Sequence, residues 1–436
     1  MLRHGLSAPG MYSLVREKVL KIPDTRLKRP QTIPLVDATM SAAAMFSLKY
    51  PSMLQFEAAA HQPAIRHNLG SLFQVGQVPS DTAMREILDP VETRHFQDLF
   101  KSIFSAAQRG RVLEGYVFFE GAYLAALDGT GFFSSHEIHC EDCNVKNHRD
   151  GTKTFYHQMV AGVLIHPDRK EVIPFAPEPI SLKDGSNKND CERNAAERFL
   201  RRLRREHPHL KIIITEDGLA SNAPHIRLMI ELEFGYILGC KPGDHKALFD
   251  FVEQSEKLGE AYRQTIIDGE VMHEFRWQNG VPLNDSNPDL LVNFIEYWEK
   301  DSGGKVIQHF SWVTGIEINN DNLMQIMRGG RTRWKVENET FNTLKNLGYN
   351  FEHNFGHGNQ NLSNNLAVIM MLVFLIDQLQ RLCCVLFQKA VERLKRLSYL
   401  WTEMRTFFGR FKFENWEAFL KALAYDVEAS YTINTS

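Results

Sequence analysis

The spacing of apolar and polar residues changes along the chain, and the first part of it predicts helices. Residues 1–110 contain short stretches of helix-forming residues, such as 41–46 and 52–60, that are broken by Pro and Gly. A capped start at 79–82 precedes another helical stretch. We predict a helical region with a basic beginning, which suits a DNA-binding region, although no helix-turn-helix signature is present.

From residue 111 the pattern becomes strand-like. Apolar runs predict strands at 112–119, 122–127, 155–165, 171–175, 211–215 and 236–238, with helices at 190–206 and after 221–224. The run at 211–215 is continuous, which is typical of a strand buried on both faces. Three strands in sequence should form a meander, and the later strands should add to it in parallel through crossovers. Residues 111–243 are therefore predicted to form an α/β sheet.

The next part, residues 244–316, reads as a β-rich insertion. After a helix at 245–256, strand-like pieces lie at 262–267, 271–277, 290–298 and 307–313. We place turns between them at Asp268-Gly269 and Asn279-Gly280. Residues 317–382 return to helices, at 320–327 and 359–382, and would complete the α/β unit. Residues 383–436 are predicted to be a basic helical C-terminal region.

Composition narrows the class of protein only a little. The net charge is −3, but basic residues cluster in the first thirty residues, at 193–205 and at 389–412. Together these clusters could form a surface that binds along the phosphate backbone of a nucleic acid. Taken singly, each cluster is interpreted as the solvated face of a helix. Six cysteines in 436 residues do not make a disulfide framework.

The sequence shows no signal peptide or membrane span. The N-terminus has no apolar segment of the kind that directs secretion. The longest apolar run, residues 366–376, is too short to cross a bilayer and reads as a buried helix. We therefore expect a cytoplasmic protein with no membrane partner.

Three acidic residues stand where they could hold metal ions. Asp128 and Asp217 each follow an apolar strand and precede a glycine, and Glu337 lies on a later helix. Three carboxylates at the ends of neighbouring elements can bind two hard divalent ions, which serve phosphodiester chemistry. Taken singly, the two Asp residues also fit a turn or a cap.

The stretch from Arg331 to Phe341 carries the third acid. Arg333 precedes Glu337 by one helical turn, so the two side chains can share a face. An ordinary amphipathic helix with a salt bridge explains this stretch equally well. We expect Trp334 to pack in the core, and Glu339 is a rival for the third acid.

Taken together, three motifs resemble a known family. They are LDGTGFFSS around Asp128, IITEDGLASNAP around Asp217 and RTRWKVENETFNTLK around Glu337, followed by Gly348-Tyr349, Glu352-His353 and 355–358. In this order, over about residues 122–378, they resemble the DDE transposases of bacterial insertion sequences. The resemblance implies an α/β fold of the ribonuclease H-like type, a mixed sheet flanked by helices. One subgroup of that family carries a β-rich insertion between its second and third acids.

The resemblance also implies roles for single residues. Asp128, Asp217 and Glu337 would bind two Mg²⁺ or Mn²⁺ ions as the catalytic triad. Arg333 matches an Arg that contacts DNA phosphate, and Arg331 beside it is a further DNA-binding candidate. Lys345 is the nearest match to the family's Lys, one residue from the commonest spacing. The family's Tyr is absent, since Gly330 stands there, and Glu216 is a lesser rival to Asp217.

The implied activity is metal-dependent DNA cleavage at the ends of a mobile element, followed by strand transfer into target DNA. The partners would be the terminal inverted repeats and the target DNA, bound by a homodimer in the bacterial cytoplasm, at the nucleoid. Two alternatives stay open. One is a metal-dependent nuclease on the same core that never joins strands. The other is a catalytically silent DNA-binding protein descended from a transposase.

Cysteine spacing suggests a second metal. Cys140 and Cys143 form a Cys-x-x-Cys pair with His148 and His157 nearby, which is a spacing of structural zinc ligands. Cys191 and Cys240 could complete such a site if the fold brought them close. The pattern favours a loop with buried thiols, because there is a single Cys-x-x-Cys pair. His353 and His357 are four residues apart, but the glycines around them predict a loop.

Overall fold

The computed structural model describes residues 4–24, 26, 33–181 and 191–426. Its N-terminal part is helical, as predicted. The helices are α1 (Ala8–Val19), α2 (Leu35–Ser47), α3 (Met53–Ala60), α4 (Pro63–Phe73), α5 (Asp81–Leu88) and α6 (Thr93–Arg109). Ser7, Ser52 and Ser80 cap α1, α3 and α5, because each side chain accepts a hydrogen bond from a first-turn N–H.

The middle of the chain forms a mixed α/β sheet. Its elements are β1 (Val117–Phe119), β2 (Ala122–Ser135), β3 (Asn144–Asn147), β4 (Lys153–His166), β5 (Arg169–Pro174), β6 (Glu178–Ile180), α7 (Glu192–Glu206), β7 (Ile212–Glu216), α8 (Ala223–Glu231) and β8 (Gly235–Gly239). β2 pairs antiparallel with β4, while β2, β7 and β8 run parallel to one another. The prediction of a meander followed by parallel strands is confirmed.

The β-rich segment extends the same sheet. It consists of α9 (Lys246–Lys257), β9 (Tyr262–Asp268), β10 (Val271–Asn284), β11 (Asn287–Lys300) and β12 (Val306–Thr314). Since β12 pairs with β8, the described strands form one twelve-stranded sheet whose main path is β3-β4-β2-β7-β8-β12-β11-β10-β9. The turn predicted at Asn279-Gly280 is wrong. These residues form a bulge inside β10, where Gly280 has φ +68° and the register with β11 shifts.

Helices complete the chain and pack against the sheet. They are α10 (Leu323–Arg331), a π-helical turn (Val336–Phe341), α11 (Asn342–Asn346), α12 (Leu362–Cys383), α13 (Val385–Leu394), α14 (Leu397–Arg410) and α15 (Trp416–Tyr425). Of the described helices, α12 is the one long and apolar enough to cross a membrane. However, 83% of its most apolar stretch is buried inside the protein. One continuous hydrophobic core contains residues from the N-terminal helices, the sheet and the last helices, and the predicted domain limits stay predictions.

Two predicted strands have different limits in the structure. The strand expected at 112–119 begins as a 3₁₀ turn, and only Val117–Phe119 pairs with β2. β2 was expected to end at Leu127 but continues to Ser135, because β4 pairs with it along its length and buries Phe132 and Phe133. Asp128 therefore lies inside a long strand, not after it.

Candidate active site

Asp128 and Asp217 lie on neighbouring parallel strands. The pairing of β2 with β7 ends at Ala126 and Thr215, so both acids come two residues beyond the last pair. Asp217 caps the short 3₁₀ turn that follows β7, where its Oδ1 accepts a hydrogen bond from Leu219 N–H at 2.9 Å. Both carboxylates border a recess of about 370 Å³. Adjacent parallel strands thus bring the first two predicted acids to one place.

Glu337 reaches the same place through Arg333. The helical chain after α10 widens into a π-helical turn that carries Glu337, and such turns are frequent at functional sites. Arg333 Nη1 donates to Asp128 Oδ2 at 3.1 Å, and Arg333 Nη2 lies 2.8 Å from Glu337 Oε1. The structure therefore brings Asp128, Arg333 and Glu337 together.

The two rival acids have other partners. Glu339 interacts electrostatically with Lys335, whose ammonium donates to the carbonyls of His166 and Pro167 at 2.6 and 3.0 Å. Glu216 is buried, and its Oε2 lies 2.6 Å from His225 Nε2. Both rivals are thus engaged away from Arg333, the residue that bridges Asp128 and Glu337.

The site is electrostatically crowded. Burial raises the pKa of Asp128 to about 7, against the lowering effect of Arg333. Burial also raises the pKa of Glu192, and the charges of Asp217 and Glu216 add to this shift. Glu192 is a fourth carboxylate at this site, and no sequence motif marks it. It lies in the first turn of α7, and only the packing of α7 against Gly129 reveals its position: a Cβ built on Gly129 would lie 2.5 Å from Glu192 Oε2.

The other predicted DNA-binding residues are held by partners within the protein. Arg331 donates to Glu299 Oε2 and to Gln308 Oε1, both at 2.6 Å, and therefore faces the insertion strands. Lys345 Nζ lies 2.8 Å from Glu352 Oε1. Their roles in DNA binding stay predictions.

The expectation that Trp334 packs in the core is wrong. Its side chain is 44% exposed, and it borders a cleft of about 560 Å³ together with Asp217, Arg331 and Arg333. The buried apolar side chains of this stretch are Val336 and Phe341. Trp334 and Val336 are two residues apart and therefore lie on roughly opposite sides of the helical chain. An aromatic side chain is thus exposed beside the acids.

The basic cluster at 193–205 is engaged within the protein. Arg198 and Arg202 pair with Glu178, Arg201 pairs with Glu231, and Arg204 donates to the Leu232 carbonyl. These contacts fit the reading of a structural helix face better than that of a phosphate-binding surface. Of the basic N-terminal segment, residues 1–3, 25 and 27–32 lie outside the described residues.

The Cys-x-x-Cys pair meets two histidines. Cys140 and Cys143 lie between β2 and β3, beside His157 of β4 and His357 of the loop before α12. The other proposed partners lie elsewhere: His148 contacts Thr154, Cys191 is exposed at the start of α7, and Cys240 is buried beside Ser311. Both cysteines and His157 belong to the pattern visible in the sequence, whereas the glycines around His357 predicted only a loop there.

Comparisons with known proteins add little at the level of sequence. No family model matches the chain, and no curated protein matches it. Among solved structures, the chain is similar to a cryo-EM structure of a piggyBac transposase synaptic complex with hairpin DNA. That alignment has 11% sequence identity and a TM-score of 0.42, and it covers 93% of this chain and 81% of that chain.

Proposed function

We propose that this chain is a DNA transposase with a ribonuclease H-like core, in which Asp128, Asp217 and Glu337 form the catalytic triad. One observation carries the proposal. Arg333 bridges Asp128 and Glu337, which are far apart in sequence, next to Asp217 on the adjacent parallel strand. The order of the sheet, an antiparallel meander followed by parallel strands, supports the same core.

The donor set fits divalent ions. Asp128 and Glu337 converge on a single cationic group, the Arg333 guanidinium, and Asp217 borders the same recess as Asp128. Carboxylate oxygens are the ligands that Mg²⁺ and Mn²⁺ prefer. When bound, two such ions would activate the attacking oxygen and stabilise the leaving oxygen.

The residues of the chain would have separate tasks. The three carboxylates would hold the ions. Once the carboxylates hold the ions, the Arg333 guanidinium would no longer be needed to neutralise them. It would then donate charge-assisted hydrogen bonds to the DNA phosphate. In cleavage, the oxygen of water forms a bond to phosphorus, and the bond to the 3′ oxygen breaks, leaving a 3′-hydroxyl. In joining, that hydroxyl attacks a phosphodiester of the target, and a target 3′ oxygen leaves with the proton, so the number of phosphodiester bonds is unchanged.

Two further parts of the proposal rest on the resemblance of the motifs. The partner DNA would be the inverted repeats that flank this reading frame, together with target DNA. The active species would be a homodimer that bridges two ends. Light scattering of the protein with and without an end duplex measures that assembly.

A cleavage and joining assay tests the proposal. The substrates are a duplex carrying the flanking DNA and a pre-cut end mixed with a target plasmid, each with Mg²⁺ or Mn²⁺. We expect wild type to cleave and join, and Asp128→Asn and Glu337→Gln to do neither. Glu339→Gln is the matched control, because it removes a carboxylate two residues from Glu337, and it should retain activity.

Other outcomes would select the alternatives. Cleavage without a joined product in the pre-cut assay would indicate a nuclease. Equal DNA binding by wild type and Asp128→Asn, with no cleavage by either, would indicate a silent DNA-binding protein and overturn the catalytic reading.

A further inference from the structure

We infer that Cys140, Cys143, His157 and His357 bind one structural zinc ion, at a site separate from the acidic triad. Among the described residues, this is the one group of three or more His, Cys, Asp or Glu side chains whose potential ligand atoms all lie within 4.8 Å of one another. Two sulfurs and two imidazole nitrogens are a common ligand set of structural zinc sites. The inference does not depend on the proposed DNA chemistry.

The distances match a tetrahedral zinc site. With Zn–S of about 2.3 Å and Zn–N of about 2.0 Å, a tetrahedron separates two sulfurs by about 3.8 Å and a sulfur from a nitrogen by about 3.5 Å. The two Sγ atoms are 3.9 Å apart. His157 Nε2 lies 3.5 Å from Cys140 Sγ and 3.4 Å from Cys143 Sγ, and His357 Nε2 lies 3.4 Å from Cys143 Sγ. All four measured separations agree with the expected ones to within about 0.1 Å.

Hydrogen bonding alone does not explain this arrangement. His157 Nε2 lies 3.5 and 3.4 Å from the two sulfurs, but its single hydrogen or lone pair can make a full hydrogen bond with only one of them. The Nδ1 atoms of His157 and His357 are buried without a hydrogen-bond partner in the described part of the chain, so no other polar contact orients the rings. A shared ion accounts for both orientations.

A disulfide is also a poor fit. The Sγ–Sγ separation of 3.9 Å is that of two ligands of one ion, whereas a disulfide brings its sulfurs to about 2.05 Å. The Cys140 N–H also points to Cys143 Sγ at 3.5 Å, a contact that stabilises a thiolate ligand. Three of the four side chains are buried, which suits a closed structural site.

The site would fasten two distant parts of the chain. Cys143 and His357 are 214 residues apart. One side of the cluster belongs to the β2–β4 hairpin, whose strand β2 carries Asp128. The other side belongs to the loop that follows the helical segment carrying Glu337. A zinc ion here would hold the loop before α12 against the hairpin.

Metal analysis of the purified full chain tests the inference. We expect one zinc per chain that survives gel filtration and is released by a strong chelator, with a fall in melting temperature. His357→Ala and Cys143→Ser should lose the zinc. Cys384→Ser removes a buried thiol outside the cluster and should keep it. Asp128→Asn should also keep it, which separates this site from metal bound by the acids.

Cobalt provides a readout that needs no variant to fold. The wild-type chain loaded with Co²⁺ should show thiolate-to-cobalt charge transfer and the d–d bands of tetrahedral coordination. Absence of these bands, together with wild-type protein that carries no zinc and has both thiols open to alkylation, would overturn the inference. Zinc retained at one per chain in both His357→Ala and Cys143→Ser would overturn it as well.

Discussion

Lys49 is a buried cation at the C-terminal end of α2, and its replacement by Met should destabilise the fold strongly. Lys49 Nζ lies 2.7 Å from Asp377 Oδ2 of α12 and donates to the Ser47 carbonyl at 3.1 Å. The ammonium also lies over the rings of Tyr349 and Trp401, at 4.0 and 4.2 Å from their centroids. One charge thus contacts α2, α12, α14 and the segment after α11.

The loss of folding free energy in Lys49→Met follows from the buried carboxylate that it leaves unpaired. The side chains of Lys49 and Asp377 are 0% and 2% exposed, so removal of the ammonium leaves a carboxylate with no water to solvate it. Breaking a buried pair in this way costs about 3–5 kcal/mol. The Tyr349 hydroxyl, 2.6 Å from Asp377 Oδ2, offsets only part of that cost. Changing both partners, in Lys49→Met with Asp377→Asn, should cost less than the sum of the two single changes.

Urea unfolding followed by tryptophan fluorescence measures this loss, with Lys421→Met as the control. Lys421 forms an exposed ion pair with Glu417 on α15, and its replacement should leave the midpoint unchanged. If Lys49→Met unfolds at the wild-type urea concentration, the Lys49 ammonium does not stabilise this part of the fold. If the double variant loses as much as both single variants together, the two residues are not coupled.

Three further predictions concern the site and the α7 end of the sheet. Gly129→Ala should lower DNA cleavage without unfolding the chain, because its Cβ would come within 2.5 Å of Glu192 Oε2 and displace that carboxylate. Unchanged activity in the cleavage assay would show that the Glu192 side chain can move aside without affecting the site. Trp334→Ala should weaken binding of an end duplex by about 1–3 kcal/mol if the exposed ring stacks on a base, with unchanged circular dichroism, and equal affinities in a fluorescence titration would refute this. Burial lowers the pKa of His207 to about 4, so the unfolded chain binds this proton more readily and stability should fall as pH drops from about 6.5 towards 4. His207→Phe should flatten that part of the stability–pH profile, and an unaltered slope in urea midpoints would contradict the assignment.

Local apolar patterns were enough to predict most elements of this fold. The strand predicted at 211–215 is observed as β7, Ile212–Glu216, because an unbroken β-branched run is informative by itself. The helix predicted at 190–206 is likewise observed, as Glu192–Glu206. The limits of β2 were not predictable in this way. Its Gly-Thr-Gly segment reads as a strand end, and only the pairing with β4 carries the strand to Ser135.

The candidate site was predictable only in part, for a related reason. The contact between Arg333 and Glu337 follows from helical spacing, so the sequence contains it. The contact between Arg333 and Asp128 joins residues 205 positions apart and depends on how α10 packs against the sheet. The apolar character of Trp334 predicted burial, but the helix buries Val336, which lies two residues away on roughly the opposite side, and leaves Trp334 exposed.

The two clusters are related by the way the chain connects them. β2 carries Asp128 and leads directly to Cys140, while the helical stretch that carries Glu337 leads to His357. The same two segments therefore meet twice, first through Arg333 between the acids and again through the cysteines and histidines. A single contact between two segments allows rotation about it, whereas a second contact further along both segments restricts that rotation. The proposed zinc would thus fix the orientation of the Glu337 segment against β2. In the proposed function, this would help to hold Glu337 close to Asp128 if Arg333 turned towards DNA.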